Sequence, residues 1–279
     1  MHADETNLAG VEGSVLPASD RPTVGPVCPF TVERPASLQR WERLTFVHWP
    51  FEPDRVRALL PPELEVDVFD GRAWVSLVPF SMRVATGRGW SVPWASTFPE
   101  TNVRTYVVDR LGRRGVWFFS LDAARLGAVL VARSGYRLPY LWSAMTLSGA
   151  DGLPAESGPR LGPGPGPGEV RYGSRRRWPG PRGASCQLRV RIGVAYRDDE
   201  LGPLDHFLTA RWRLYSATGL AHRAIRASHD PWPLYRAQVA EFDDGLLRAA
   251  GLTPPPGDPL AHYSPGVDVR IGRPEQYLL

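Results

Sequence analysis

The segment FPETNVRTYVVDRLGRRGVWFFSLDA (98–123) sets two carboxyls, Glu100 and Asp122, a guanidinium, Arg104, an amide, Asn102, and a hydroxyl, Ser120, among Trp117, Phe118 and Phe119. Carboxyls can exchange protons, a guanidinium is a permanent cation, and amides and hydroxyls orient what lies beside them. The segment reads as two strands joined by a basic, Gly-containing turn, and side chains two apart on a strand share a face. A register that puts Arg104 opposite Ser120 and Asn102 opposite Asp122 gathers Glu100, Asn102, Arg104 and Tyr106 with Phe118, Ser120 and Asp122. Val103, Thr105, Val107, Trp117, Phe119 and Leu121 then form the opposite, apolar face, which must be buried. A one-residue slip would mix the two sets. The polar face is either solvated or the wall of a cavity, and spacing alone leaves both open.

The elements around this hairpin point to a β-rich domain. ERLTFVHWPF starts a strand with Leu44 and Phe46 on one face, and PDRVRALL suits a short helix with Pro53 in its first turn and Pro61 and Pro62 ending it. In ELEVDVFDG, Leu64, Val66 and Val68 alternate with acidic residues, the pattern of a half-buried strand. Asp70-Gly71 then signals a hairpin into AWVSLVPFSMRV. LGAVLVARSGY predicts a short helix stopped by Gly135 and Pro139, and DDELGPLDHFLTARW another with Asp198 or Asp199 near its N-cap. EVRYGSRRRW and CQLRVRIGVAY pair as a hairpin with Leu188, Val190 and Ile192 inward, and FDDGLLRAAGL adds one more short helix. Residues 1–36 read as a disordered tail, 37–279 as a single domain, and the Gly-Pro repeat at 158–169 as a surface loop. Short strands, few helices and many turns argue for a mainly β barrel or sandwich.

Composition excludes several chemistries. All 33 residues counted as Lys or Arg are Arg, so the 279-residue chain carries no side-chain amine. Guanidinium cannot replace an amine as a nucleophile. The net charge of +4 permits an anionic ligand without demanding nucleic acid. The basic stretch from Arg171 to Arg191, with Tyr172 and Trp178, is read as a solvated exterior, so no nucleic-acid partner is expected. Cys28 and Cys186 are too few for a disulfide framework or zinc site. His222 and His229, seven apart, would fall on opposite faces of a continuous strand, and no metal or cofactor is expected. There is no Walker loop, no G-x-S-x-G and no H-E-x-x-H. The polar N-terminus is unlike a signal peptide and the longest apolar runs are too short to span a bilayer, so the expectation is a cytoplasmic protein without a membrane partner. A homo-oligomer is compatible with the sequence.

A further pattern emerges from the motifs together. HWP at 48–50, FDGRAWVSLVPF, FPETNVRTYV, GVWFFSLDA, LPY at 138–140, FLTARWRLYS, HDPWPL at 229–234 and HYSPGVDVR resemble the uncharacterised YqjF-like family in order, over roughly residues 38–272. That family resembles a branch of the acetoacetate decarboxylase-like superfamily. The resemblance implies a closed, bent antiparallel β-barrel with a few short peripheral helices and an interior ligand cavity. It also implies that the decarboxylases' Schiff-base lysine corresponds to a position near Ser120–Asp122, where no lysine stands. Schiff-base decarboxylation is therefore excluded. On this reading Arg104 would pair with a ligand carboxylate or enolate, and Glu100 or Asp122 would move protons. Asn102 and Ser120 would orient the ligand, with His48, Tyr140, Tyr215, His229 and Trp232 as further wall residues. The implied function is a small-molecule-binding barrel with lyase or isomerase chemistry on a carbonyl or carboxylate compound. The alternative is a non-catalytic ligand sensor using the same cavity.

Overall fold

The computed structural model describes residues 23–86, 97–136, 138–150, 168–218, 221–243 and 245–276. Fourteen strands make up one sheet: β1 (Ser37–Phe51), β2 (Leu64–Val66), β3 (Val68–Phe69), β4 (Arg72–Thr86), β5 (Thr97–Asp109), β6 (Arg114–Ala123), β7 (Tyr140–Gly149), β8 (Gly168–Trp178), β9 (Ser185–Ala195), β10 (Arg213–Thr218), β11 (Ala221–Ser228), β12 (Tyr235–Asp243), β13 (Leu260–Ile271) and β14 (Glu275–Gln276). Among the described residues four short α-helices accompany them: α1 (Pro53–Arg57), α2 (Leu126–Val131), α3 (Pro203–Thr209) and α4 (Gly245–Ala249). The chain is mainly β, as its short apolar runs and frequent turns predict. The Gly-Pro loop at 158–167 and the first 22 residues lie outside the described residues.

Three expectations are corrected. Residues 32–36 of the predicted tail pack on β13: Val32 is buried, the Ala36 amide donates to the Ile271 carbonyl, and the Arg270 side chain donates to the Val32 and Glu33 carbonyls. The predicted acidic face of ELEVDVFDG holds for exposed Glu65 but not for Asp67, which is fully buried. Its carboxylate lies 3.1 Å from both Arg114 and Arg211, so two cations draw it inward and break the run into β2 and β3. Finally, not every pairing is antiparallel, because β6 runs parallel to β7 and to β10. Parallel neighbours need a crossover connection, and between β6 and β7 that crossover contains α2 and the π-helical turn Ala132–Tyr136.

Local geometry explains two sharp features. The predicted hairpin at Asp70-Gly71 forms, both residues taking positive φ (49° and 71°) between β3 and β4, as a two-residue turn requires. In β1 the register shifts between Glu42 and Val47, and Gly266 of β13 sits opposite Glu42. A Cβ at Gly266 would lie 2.1 Å from the Trp41 carbonyl oxygen, and its φ is +135°, so glycine alone fits there.

Strands β1, β4 and β5 are buried on both faces. One face carries Leu44, Phe46, Val78, Phe80 and Met82 into a core shared with Phe118, Leu121, Ile225 and Trp232. The other sets Val47, Trp49, Val75, Leu77 and Val103 against Tyr172, Leu188, Val190, Leu246 and Leu247 of β8, β9 and α4. Burial on both sides accounts for the near-continuous apolar run of β4, whereas β5 buries Glu100, Asn102 and Arg104 on one of its faces.

The second core holds a buried ion pair. The Arg176 Nε and Nη2 donate to the two oxygens of Asp122 at 3.0 and 2.8 Å, and Ser143 Oγ donates at 2.6 Å. Both charged side chains are almost fully buried. Removing one partner strands a charge, which costs about 3–5 kcal/mol, whereas replacing both is far cheaper. Asp122→Asn and Arg176→Met are each expected to lose stability of that order in urea unfolding. The double substitution should lose clearly less than their sum. Additive losses would show that the two side chains do not work as a pair.

Candidate active site

The cavity wall is written in the strand register. Across β4, β5 and β6, Met82 pairs with Phe98, Phe80 with Glu100 and then Ala123, Val78 with Asn102 and then Leu121, and Ser76 with Arg104 and then Phe118. Directly paired residues share a face, so each row presents its side chains together. His48 continues the last row on β1, and Tyr140 of β7 continues the Leu121 row. These rows border a cavity of about 480 Å³ lined by Glu100, Asn102, Arg104, Phe118, Leu121, Tyr140 and Trp232 among others. Its size is that of a small-molecule site, and its lining is mostly apolar with a few convergent polar groups.

Ser120 and Asp122 are not part of that wall. Up to Val103 the hairpin pairs Glu100 with Ala123 and Val103 with Ser120, but Arg104 pairs with Phe118. Phe119 is therefore an extra residue, a β-bulge, and one extra residue reverses the facing of everything beyond it. Phe118, Leu121 and Ala123 face the cavity core, while Ser120 and Asp122 turn to the second core, where Arg176 holds Asp122. The register expected from the alternation alone missed the bulge.

The polar groups of the cavity differ in how well they are satisfied. Glu100 is 2 % exposed, and its Oε2 accepts a hydrogen bond from Tyr140 Oη at 2.8 Å. Burial pushes its carboxyl up to about 8, against the pull of the Tyr140 hydrogen bond and with a smaller push from Asp122 behind the strand. Glu100 is thus a neutral acid at neutral pH, and burial and the Glu100 carboxylate together hold the Tyr140 phenol well above its usual value. Asn102 Oδ1 and Arg104 Nε are buried without hydrogen-bond partners. Arg104 is 7 % exposed, reaches the Leu208 carbonyl at a long 3.4 Å, and lies 5.3 Å from the centre of the Phe46 ring. Among the described residues no carboxylate stands within ion-pair distance of it. Desolvation lowers its pKa, although a guanidinium remains charged. Its buried neighbour Arg211 differs in having Asp67 at 3.1 Å and the Phe207 ring at 4.3 Å.

Beneath Arg104 lies a polar network that alternation could not assemble. His48 Nδ1 and Tyr106 Oη each lie 2.7 Å from Ser76 Oγ, and Tyr106 Oη donates to the Leu208 carbonyl at 2.7 Å. His262 stands 5.6 Å from His48, ring to ring, with its Nε2 2.8 Å from Asp205 Oδ1. Burial, then His262 and Arg104, hold His48 well below the usual imidazole range, so it is neutral. His48 is therefore a support behind Arg104 rather than a cavity-lining group. Ser76 was missed because it sits in an apolar-looking strand, and Tyr106, expected on the same face as Arg104, meets it only through pairing across β1, β4 and β5.

The remaining candidates scatter. Trp232 lines the cavity and donates its indole N–H to the Thr209 carbonyl at 3.1 Å. His229 sits outside it, packed among Trp41, Trp212 and Trp232 and bordering a separate surface depression with Cys28 and Arg270. Burial pushes its imidazole down to about 4. Tyr215 is fully buried in a third core cluster and donates to Asp109 Oδ2 at 2.9 Å. No group of three or more His, Cys, Asp or Glu side chains able to hold a metal occurs among the described residues. No helix among them is long and apolar enough to cross a membrane.

Comparison with known proteins agrees with this architecture. Residues 38–268 match the DUF2071 family, described as an uncharacterized conserved protein. The chain belongs to that family. It is 36 % identical over 234 residues to the uncharacterized protein YqjF of Bacillus subtilis (strain 168), covering 83 % of this chain and 88 % of YqjF. Among solved structures, the enduracididine biosynthesis enzyme MppR complexed with pyruvate superposes with a TM-score of 0.59 at 16 % identity, over 92 % of this chain and 98 % of MppR. An acetoacetate decarboxylase-like enzyme from Sphingomonas wittichii RW1 gives 0.57 at 16 % identity, over 89 % and 97 % of the two chains. At such identities these likenesses show the fold alone, and the fold resembles that of acetoacetate decarboxylase-like enzymes.

The raised Glu100 pKa has a measurable consequence. Between about pH 4.5 and about 8 the unfolded chain releases this proton while the folded chain keeps it. The stability associated with the neutral carboxyl is complete below the lower value and is lost as pH rises through the upper one, at about 1.4 kcal/mol per pH unit. Glu100→Gln does not titrate, so its stability relative to the parent should climb across that window and level off above it. Denaturant melts of the two proteins at a series of pH values measure this. Parallel curves would mean that Glu100 ionises normally.

Proposed function

We propose that the paired strands close into a bent barrel whose cavity binds a small organic acid bearing a carbonyl group, and that the protein acts on it as a lyase or isomerase by acid–base chemistry. The observation that carries this reading is Arg104: a buried guanidinium facing the cavity, with no carboxylate partner among the described residues and an Nε that donates to nothing. Burying an unpaired charge is costly, and a ligand carboxylate would supply two acceptors for the guanidinium fork. Glu100, neutral near pH 7 and hydrogen-bonded by Tyr140, is the proton donor, and its conjugate base the acceptor. A carboxyl tuned close to working pH is suited to both roles. Asn102, between them on β5, offers an amide to orient the ligand. That the fold neighbour MppR is known in complex with pyruvate is consistent with an acid in this cavity. The route through a Schiff base to lysine is absent, since the sequence contains no lysine.

Two linked measurements test this. Calorimetric titration with pyruvate, acetoacetate and levulinate should give binding that Arg104→Met weakens by about a hundredfold, as expected for loss of a buried charge-assisted contact worth roughly 3 kcal/mol. In D2O the parent protein should exchange the protons next to the carbonyl of a bound keto acid long enough to reach Glu100, and Glu100→Gln should bind but not exchange. Binding indifferent to Arg104→Met would reject the site. Binding without exchange in the parent protein would make it a ligand sensor instead.

A further inference from the structure

The cavity has a direction. Its lining residues Thr86, Gly127 and Val131 are exposed and mark a mouth between the end of β4 and α2. From there the paired rows descend through Met82–Phe98, Phe80–Glu100 and Val78–Asn102 to Ser76–Arg104. Each step of two residues advances about 6.6 Å along a strand, so Arg104 lies roughly 13 Å of backbone deeper than Glu100 and deeper still from the mouth. The charged group is at the floor, and the walls above it are Trp41, Phe80, Met82, Phe98 and Leu121. Apolar character continues outside: Leu130 and Val131 of α2 are 50 % and 64 % exposed at the rim.

A two- or three-carbon acid seated on Arg104 would leave these walls facing empty space, and Glu100 with nothing to touch. We propose that the cavity takes an amphipathic monocarboxylate, carboxylate down on Arg104 and an extended alkyl or aryl-alkyl body rising past Asn102 and Glu100 to α2. Glu100 then meets the ligand several carbons from its carboxylate, so a carbonyl on which it acts is remote from the acid group. This inference rests on the assignment of Arg104 as the anion site made above, and adds the length and polarity of what is attached to the anion.

The test is a homologous series of straight-chain carboxylates, acetate, butanoate, hexanoate, octanoate and decanoate, titrated calorimetrically against the full chain beside pyruvate. Burying each methylene contributes about 0.8 kcal/mol, so affinity should rise roughly fourfold per carbon through octanoate, with pyruvate far weaker. Octanol and octylamine should bind at least about tenfold more weakly than octanoate, because neither brings an anion to the floor. Ala128→Phe, at the α2 end of the cavity, should weaken decanoate and leave butanoate unchanged. Pyruvate binding as tightly as octanoate, with both lost in Arg104→Met, would overturn the chain-length inference while leaving the anion site intact. Equal binding of octanoate and octanol, or octanoate binding that survives Arg104→Met, would overturn the anion site itself. Failure of any carboxylate to bind would overturn both.

Discussion

Phe119 is one residue more than β6 needs to match β5, and the arrangement of polar groups in this protein follows from that surplus. A strand has only two faces, so a single inserted residue sends every later side chain to the other one. On the cavity side the bulge leaves Glu100, Asn102 and Arg104 opposite Ala123, Leu121 and Phe118, small or apolar partners that leave the three polar groups without cross-strand neutralisation. On the reverse side it delivers Asp122 to Arg176 and Ser143. Without the bulge, the Arg104–Phe118 pairing would continue as Glu100–Asp122 and set two carboxyls side by side on the cavity face. The bulge therefore keeps Asp122 off that face and delivers it to Arg176.

The same economy of charge runs through the interior. Asp67 lies against Arg114 and Arg211, and Asp205 takes His262. Among the described residues, Arg104 differs from Arg114 and Arg211 in facing the cavity with no carboxylate beside it, supported from behind by a neutral His48, Ser76 and Tyr106. A low-dielectric wall magnifies both the cost of that lone charge and the strength with which it would hold an anion. Glu100 solves the opposite problem by staying protonated, so that the apolar middle of the cavity carries no net charge.

Membership of the DUF2071 family and a fold resembling acetoacetate decarboxylase-like enzymes frame these features without supplying a mechanism. A chain devoid of lysine must do any work on a carbonyl acid with other groups, and the cavity offers a neutral carboxyl, a phenol, an amide and a guanidinium. These can hold charge and move protons but cannot form an imine. The chemistry proposed above is bounded by that inventory.

The helix expected to start at Asp198 or Asp199 instead begins at Pro203 with Gly202 as its N-cap, and Asp198–Glu200 form a separate 3-10 turn. Legible in the sequence alone were the mainly β character, the Asp70-Gly71 turn, a short helix around 245–249, and the inward facing of Leu188, Val190 and Ile192. These depend on local alternation and turn residues, which are properties of a few consecutive side chains. The sequence also made Glu100, Asn102 and Arg104 visible as one face, because three alternate residues on an unbroken strand keep their facing whatever pairs with them. Contacts between strands distant in the chain set the rest. The bulge at Phe119 arises from pairing across two strands and has no signature in β6 alone. The burial of Asp67 depends on Arg114 and Arg211, far along the chain, and the support behind Arg104 draws one residue each from β1, β4 and β5. Whether a polar face meets water or a cavity depends on what the rest of the chain places over it, and here Trp41 of β1, Trp232 between β11 and β12, and α2 stand there.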